Sequence, residues 1–263
     1  MLRLVNLALV IFFISGVIFV LLKLAVPPPA EQSLNNFDNV LSQSVGQIDS
    51  TTIELSGVNY VITWTKVDAE KVSLVPNFGD RQTSKEVFTK NDCRVLVSGG
   101  FYDTKSGENV PIGHFVSSRD KLSDFTKNRL FNGVLSINEF GTPRITRSVP
   151  EDPLVSAVQT GPLIKENNEV LLLTSDSTKR ARRMLAAVTG ENELVFMAVY
   201  SPGSTFAGPA LSELPHVVSE FEDKSGLALA DAINLDGGSA SAFLADGFSL
   251  SEASLVGSFF CAK

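Results

Sequence analysis

Three stretches of this chain share one grammar: an apolar strand that stops in small residues and a single polar group. They are VLVSGGFYD (Val95–Asp103), AVQTGPLI (Ala157–Ile164) and AINLDGGSASAF (Ala232–Phe243). Glycine at a strand end lets backbone approach a ligand closely, because no Cβ intervenes, and it bares N–H groups that can hold an anion. Gly99, Gly100, Gly161, Gly237 and Gly238 would form the floor of such a pocket. Gln159, Thr160, Asn234 and Ser239 add neutral hydrogen-bonding groups, and Asp103 and Asp236 add carboxyl groups. For any one stretch the plain alternative is a tight turn, with Asp236 capping it through its own backbone. Three such stretches in one modest domain shift the balance toward a shared site.

A fourth stretch, KRARRMLAAVT, places Lys179, Arg180, Arg182 and Arg183 before a strand of small and apolar residues. Such a cluster is either a solvated loop or an anion receptor. If Arg183 opens the strand pointing inward, its guanidinium supplies a fork for phosphate or carboxylate. His114, after Gly113, is read as a structural histidine or as a donor or acid at the site.

The elements that must position these groups are mostly strands. YVITWTKV (Tyr60–Val67) alternates with period two, and further strands are predicted at VSLVPNF, RVLVS, NGVLSI, EVLLL, RMLAAVT, ELVFMAVY and LVGSFFCA. Gly190 and Asn192 mark one hairpin turn and Asp246-Gly247 another. Thr83-x-x-Glu86 is a capping box opening a short helix. One strong helix is predicted in GPALSELPHVVSEFEDKSG, with Leu211, Leu214, Val217, Val218 and Phe221 on one face and Gly226 as C-cap. The expected fold class is α+β: a mixed sheet packed by one principal helix and a few short ones.

Leu4–Leu22 carries no charge and has the length of a bilayer-spanning helix. It exceeds an ordinary signal-peptide core and lacks a clean small-x-small site, so residues 1–26 are read as an uncleaved signal-anchor. Residues 27–50, opening with PPPAEQ, read as a polar spacer, and 51–263 as one domain outside the cytoplasm. A formal net charge of −7 and the lack of a basic run exclude a nucleic-acid partner. The two cysteines, Cys93 and Cys261, either pair in an oxidising compartment or stay as buried thiols. With two histidines, His114 and His216, and no HExxH pattern, zinc chemistry and a metal-dependent phosphodiesterase are poor fits.

Taken in order and spacing, SGGFYD, QTGPLI, the Arg183 strand and NLDGGSASA resemble the phosphodiester glycosidase family, over roughly Thr52 to the C-terminus. The chain departs from that pattern in having Ser98 where the family usually has Asn, His114 where it often has Leu, and Ala240 where it typically has Ser. The resemblance implies hydrolysis of a sugar-1-phosphodiester, with a carbohydrate phosphodiester or glycan as partner; no cofactor is expected, and the metal requirement is unknown. It points to Asp236 and Asp103 as catalytic carboxyls and Arg183 as phosphate holder, with small residues making room for substrate. Tyr102 and Phe101 can stack on a sugar ring or join the core, and His114 can donate to a sugar hydroxyl. The alternative is a non-catalytic envelope protein that binds glycans in the same pocket.

Overall fold

The computed structural model describes residues 46–103, 110–173 and 178–263. The expected anchor over residues 1–26 and nearly all of the spacer lie outside the described residues. Among the described residues no helix is long and apolar enough to cross a membrane. Val45–Lys263 forms one compact unit.

The described residues hold nineteen strands, numbered β1–β19 in chain order, and two α-helices. The widest sheet runs β1 (Asp49–Leu55), β2 (Val58–Val67), β15 (Leu194–Tyr200), β14 (Arg183–Thr189), β16 (Leu229–Asn234), β12 (Leu163–Glu166) and β13 (Glu169–Val170). A second sheet runs β10 (Pro143–Thr146), β9 (Gly133–Asn138), β11 (Leu154–Thr160), β7 (Phe115–Ser117) and β8 (Asp120–Ser123). A third runs β18 (Phe248–Leu250), β17 (Phe243–Ala245), β4 (Val95–Ser98), β19 (Ser258–Ala262) and β3 (Val72–Pro76). A short ribbon pairs β5 (Tyr102–Asp103) with β6 (Val110–Pro111).

The strand-rich α+β class is as expected, but the single mixed sheet is not. Each of these pairings is antiparallel, and the strands divide among three sheets and a ribbon. The principal helix lies in the chain between β15 and β16. In the fold, β14 lies between those two strands and pairs antiparallel with both, so they never become neighbours.

The principal helix, α2 (Leu214–Ser225), buries Leu214, Val217, Val218 and Phe221 against one face of the widest sheet. Gly226 ends it at φ 73°, a left-handed conformation that glycine adopts without a Cβ penalty. Phe221 meets Trp64 of β2 edge-on with ring centres 5.6 Å apart. Lys165 of β12 and Glu222 pair at 2.6 Å, which ties the helix to the sheet. The shorter helix, α1 (Ser84–Lys90), carries the predicted Thr83–Glu86 capping box. The opposite face of the widest sheet packs on the other two sheets. Phe196 and Phe260 meet there at 5.3 Å, with Leu135 and Val158 in the same core.

Cys93, just past α1, is disulfide-bonded to Cys261 of β19, with Cα atoms 5.4 Å apart across 168 positions of sequence. Closing so long a loop restricts the unfolded chain, and loss of such a bridge costs about 2–5 kcal/mol. Reduction, or the double change Cys93→Ala and Cys261→Ala, is therefore expected to lower the thermal midpoint clearly. Thiol titration of the denatured, unreduced protein is expected to find no free thiol.

Candidate functional site

The site is assembled from backbone outward. Where β16 ends, Asp236 donates its N–H to the Gly99 carbonyl at 2.9 Å, and Ser98 Oγ donates back to the Asp236 carbonyl at 2.9 Å. Beside them, Thr160 Oγ1 donates to the Asn234 carbonyl at 2.9 Å, and Asn234 Nδ2 donates to the Gly161 carbonyl at 2.9 Å. The Gly238 N–H reaches the Arg182 carbonyl at 2.8 Å. Strand ends far apart in sequence are thus joined by their own peptide groups. Glycine is needed for this: a Cβ on Gly237 would lie 2.7 Å from the Arg182 carbonyl. Gly161, at φ 153°, would press a Cβ into the Leu130 carbonyl.

These strand ends border a cleft of about 210 Å³. Of the residues selected from sequence, Gly161, Arg183, Asn234, Asp236, Gly237 and Gly238 line it. Phe101, Leu130 and Leu211 add an apolar wall, and Lys179 and Ala181 complete the lining. Two larger depressions, of about 440 and 320 Å³, contain none of the selected residues. The smaller cleft is the one with the chemistry, because it holds the buried carboxyl.

Asp236 is 9% exposed, and burial pushes its pKa up to about 8. The Gly237 N–H and the Lys179 ammonium pull the other way without offsetting it. At neutral pH this carboxyl holds its proton and is a hydrogen donor. Arg183 lines the cleft half-buried, but two of its nitrogens are committed: Nε donates to the Pro209 carbonyl at 3.0 Å and Nη2 to the Lys179 carbonyl at 2.7 Å. Burial lowers its pKa, and Glu213 works against that. Arg183 therefore holds the loop that carries Lys179 while standing at the cleft itself.

Several selected residues serve the site from behind rather than line the cleft. Gly99 packs against Ser258 and Gly100 against Val158. The Gln159 amide is wholly engaged: Oε1 accepts from the N–H groups of His114 and Thr126, both at 3.0 Å, and Nε2 donates to the Phe131 carbonyl at 2.8 Å. It anchors the 124–131 loop, and at 1% exposure it has no surface left for a ligand. His114 is buried, and that burial lowers its pKa, with Lys121 adding to the effect. Tyr102 donates from Oη to the Leu255 carbonyl at 2.5 Å. Its pKa is raised by burial and then by the charge of Asp236. Ser239 accepts from the Ala253 and Ser254 N–H groups at 2.8 and 3.0 Å. Asp103 lies on the β5–β6 ribbon and is not part of the cleft lining.

Sequence reasoning passed over Arg182 in favour of its neighbour. Arg182 is fully buried. Its Nε donates to Ser241 Oγ at 2.9 Å, and Nη2 donates to the Ser241 carbonyl and to the Ser251 carbonyl, the latter at 2.9 Å. The guanidinium lies over the Phe206 ring at 4.6 Å, and burial lowers its pKa to about 10. It braces the turn that follows Asp236. A run of four cations in five residues gives no sign of which one is buried; strand phase relative to the turn decides it. Among the described residues, no group of three His, Cys, Asp or Glu side chains is placed to hold a metal ion.

An antiparallel α+β scaffold with a buried, proton-bearing carboxyl that shares one cleft with two cations and an apolar wall is the class of protein that this fold and site define. The chain belongs to the phosphodiester glycosidase family, whose model matches residues 91–258. No curated protein sequence matches the chain. Among solved structures, it resembles the catalytic domain of zebrafish N-acetylglucosamine-1-phosphodiester α-N-acetylglucosaminidase, auto-inhibited by pro-peptide. That match has a TM-score of 0.63 at 17% identity over 84% of each chain. A hypothetical protein from Synechocystis matches with a TM-score of 0.63 at 14% identity, over 81% of this chain and 61% of that one. A putative exported protein from Burkholderia pseudomallei matches with a TM-score of 0.55 at 10% identity, over 78% of this chain and 74% of that one. At these identities the structural likeness establishes the fold. Family membership supports a glycosidase-like function.

Two stability outcomes follow from the site. The folded-state pKa of Asp236 lies above the usual carboxylate value, so its contribution is fully present at low pH and is lost as pH rises toward about 8. Over that window the group's slope is up to about 1.4 kcal/mol per pH unit. Asp236→Asn is expected to flatten the fall in melting temperature between pH 5 and 8, measured by thermal denaturation across pH. Arg182→Met leaves the buried Ser241 carbonyl and the partly buried Ser251 carbonyl without this donor. It is expected to destabilise by at least about 2 kcal/mol in denaturant titration, well beyond the effect of Arg144→Met at the exposed ion pair with Asp152.

Proposed function

We propose that this protein is a hydrolase that cleaves the anomeric carbon–oxygen bond of a sugar-1-phosphodiester, at the cell envelope and outside the cytoplasm. The observation that carries the reading is Asp236, a nearly buried carboxyl whose pKa of about 8 keeps it protonated beside Lys179 and Arg183 in a single cleft. A general acid works best with a pKa near the operating pH, and phosphate is already a good leaving group. In the proposed step Asp236 donates its proton to the bridging oxygen as the C1–O bond breaks and the electron pair stays on that oxygen. Water adds to C1 and gives its proton to a carboxylate, which we assign to Asp103. Lys179 and Arg183 neutralise the phosphate, and Phe101, Leu130 and Leu211 face the apolar side of the sugar. The step uses no cofactor.

The zebrafish structure supports the substrate class through its name, and N-acetylglucosamine-1-phosphodiesters are the first substrates to try. The Cys93–Cys261 bridge supports an oxidising compartment, and the apolar run Leu4–Leu22 supports an N-terminal membrane tether.

Incubation of the full-length protein with a panel of sugar-1-phosphodiesters, with and without divalent cations, is expected to release free sugar and a phosphomonoester. The rate is expected to fall as pH rises through about 8, where Asp236 loses its proton. Asp236→Asn keeps the shape and removes the acid, with an expected loss of about 10²–10⁴-fold in kcat. Arg183→Ala is expected to act mainly on KM, by about 1.5–3 kcal/mol for a lost charged hydrogen bond. Full activity in both Asp236→Asn and Asp103→Asn would defeat the mechanism and favour the non-catalytic glycan-binding alternative.

A further inference from the structure

The stretch from Leu122 of β8 through the loop that leads to β9 gathers several exposed apolar side chains. Leu122 is 50% exposed, Phe125 39% and Leu130 44%, three large apolar side chains within nine residues. Interleaved with them are Lys127 and Arg129, both exposed, with neither a hydrogen bond nor an ion pair among the described residues. From Arg119 to Phe131 there are four cations and two acids, in a chain whose net charge is −7. Lys121 and Asp124 pair with each other at 2.7 Å, which leaves Lys127 and Arg129 as the loop's open positive charge.

The display is rigid. Gln159 holds Thr126 through its N–H at 3.0 Å and its carbonyl at 2.5 Å, and holds the Phe131 carbonyl at 2.8 Å. Asn128 Oδ1 accepts from the N–H groups of Leu130 and Phe131 at 2.8 and 3.0 Å. A loop whose backbone is tied down this firmly keeps its apolar side chains outward instead of folding them away. Aliphatic and aromatic side chains alternating with unpaired cations make a surface that partitions into the headgroup boundary of an anionic bilayer. A glycan would favour aromatic rings flanked by neutral polar groups, whereas two of the three apolar side chains here are leucines. The loop also reaches the cleft: Leu130 lines it, and Phe131 packs on Phe101 of the same wall at 4.7 Å.

We infer that residues 122–130 seat on an anionic membrane surface, so that the cleft opens at the lipid interface and the phosphodiester substrate carries a lipid aglycone. The aglycone assignment rests on the catalytic reading above; the membrane contact does not. The test uses the full-length chain reconstituted in phosphatidylglycerol vesicles that contain brominated lipids, which quench tryptophan on contact. Trp64 is buried and serves as common background. Phe125→Trp is expected to be quenched at least two-fold more than Phe140→Trp, a reporter at a position 74% exposed and outside the loop. The excess is expected to disappear in phosphatidylcholine vesicles and when Lys127→Glu and Arg129→Glu are added. Equal quenching at both positions, or quenching indifferent to lipid charge, overturns the inference. Shielding of the Phe125→Trp reporter by a soluble polysaccharide but not by vesicles also overturns it, in favour of a glycan surface. Quenching without sugar release from any phosphodiester keeps the membrane contact and defeats the catalytic reading, and sugar release without quenching does the reverse.

Discussion

The carboxyl of Asp236 can stay protonated near neutral pH because water is kept away from it, and water is kept away by backbone. The N–H of Asp236 is bonded to Gly99, its carbonyl to Ser98, and the neighbouring Asn234 to Thr160 and Gly161. Each bond requires two chain segments to approach as closely as strands in a ladder, although here they belong to different sheets. A side chain at Gly237 would press on the Arg182 carbonyl and one at Gly161 on the Leu130 carbonyl, so either would disturb the close packing beside the carboxyl.

Arg182 supports this arrangement from beneath. A buried guanidinium is costly unless its donors are met; here two serine carbonyls and a hydroxyl meet Nε and Nη2, while Nη1 stays without a hydrogen-bond partner. The same residue offers its own carbonyl to Gly238, so both its ends hold the turn after Asp236. Its neighbour Arg183 makes a comparable brace for the loop bearing Lys179, and it still stands at the cleft. One strand start thus shapes both walls of the site, with consecutive arginines pointing to opposite sides as a strand's period of two demands.

The scaffold explains how such a site persists. Three antiparallel sheets share a core in which Phe196, Phe260, Leu135 and Val158 meet, so the strand ends at the cleft cannot drift independently. The Cys93–Cys261 bridge fastens the sheet that carries Ser98 and Gly99 to the segment following α1. Chains at 10–17% identity retain this fold. That breadth is reasonable for a core whose demands are apolar character and volume rather than particular residues.

The strands with clear alternation, the two hairpin turns, the α1 capping box and the Gly226-capped α2 were legible from local pattern, because each depends on residues within one or two turns of chain. So were the glycine-ended strands and Asp236, since the removal of side-chain bulk beside a lone carboxyl is itself a pattern. The number of sheets was not legible. The expected single mixed sheet gave way to three antiparallel ones, and β14 between β15 and β16 pairs antiparallel with both. Nor did sequence tell which selected residues would reach the cleft. Gln159 and Thr160 turned their polar groups to backbone from other segments, Tyr102 bonded to Leu255, and Arg182 rather than Arg183 became the fully buried cation. Those outcomes depend on long-range approach and on which face of a strand meets the core. These are properties of the packed fold, with no counterpart in the spacing of neighbouring residues.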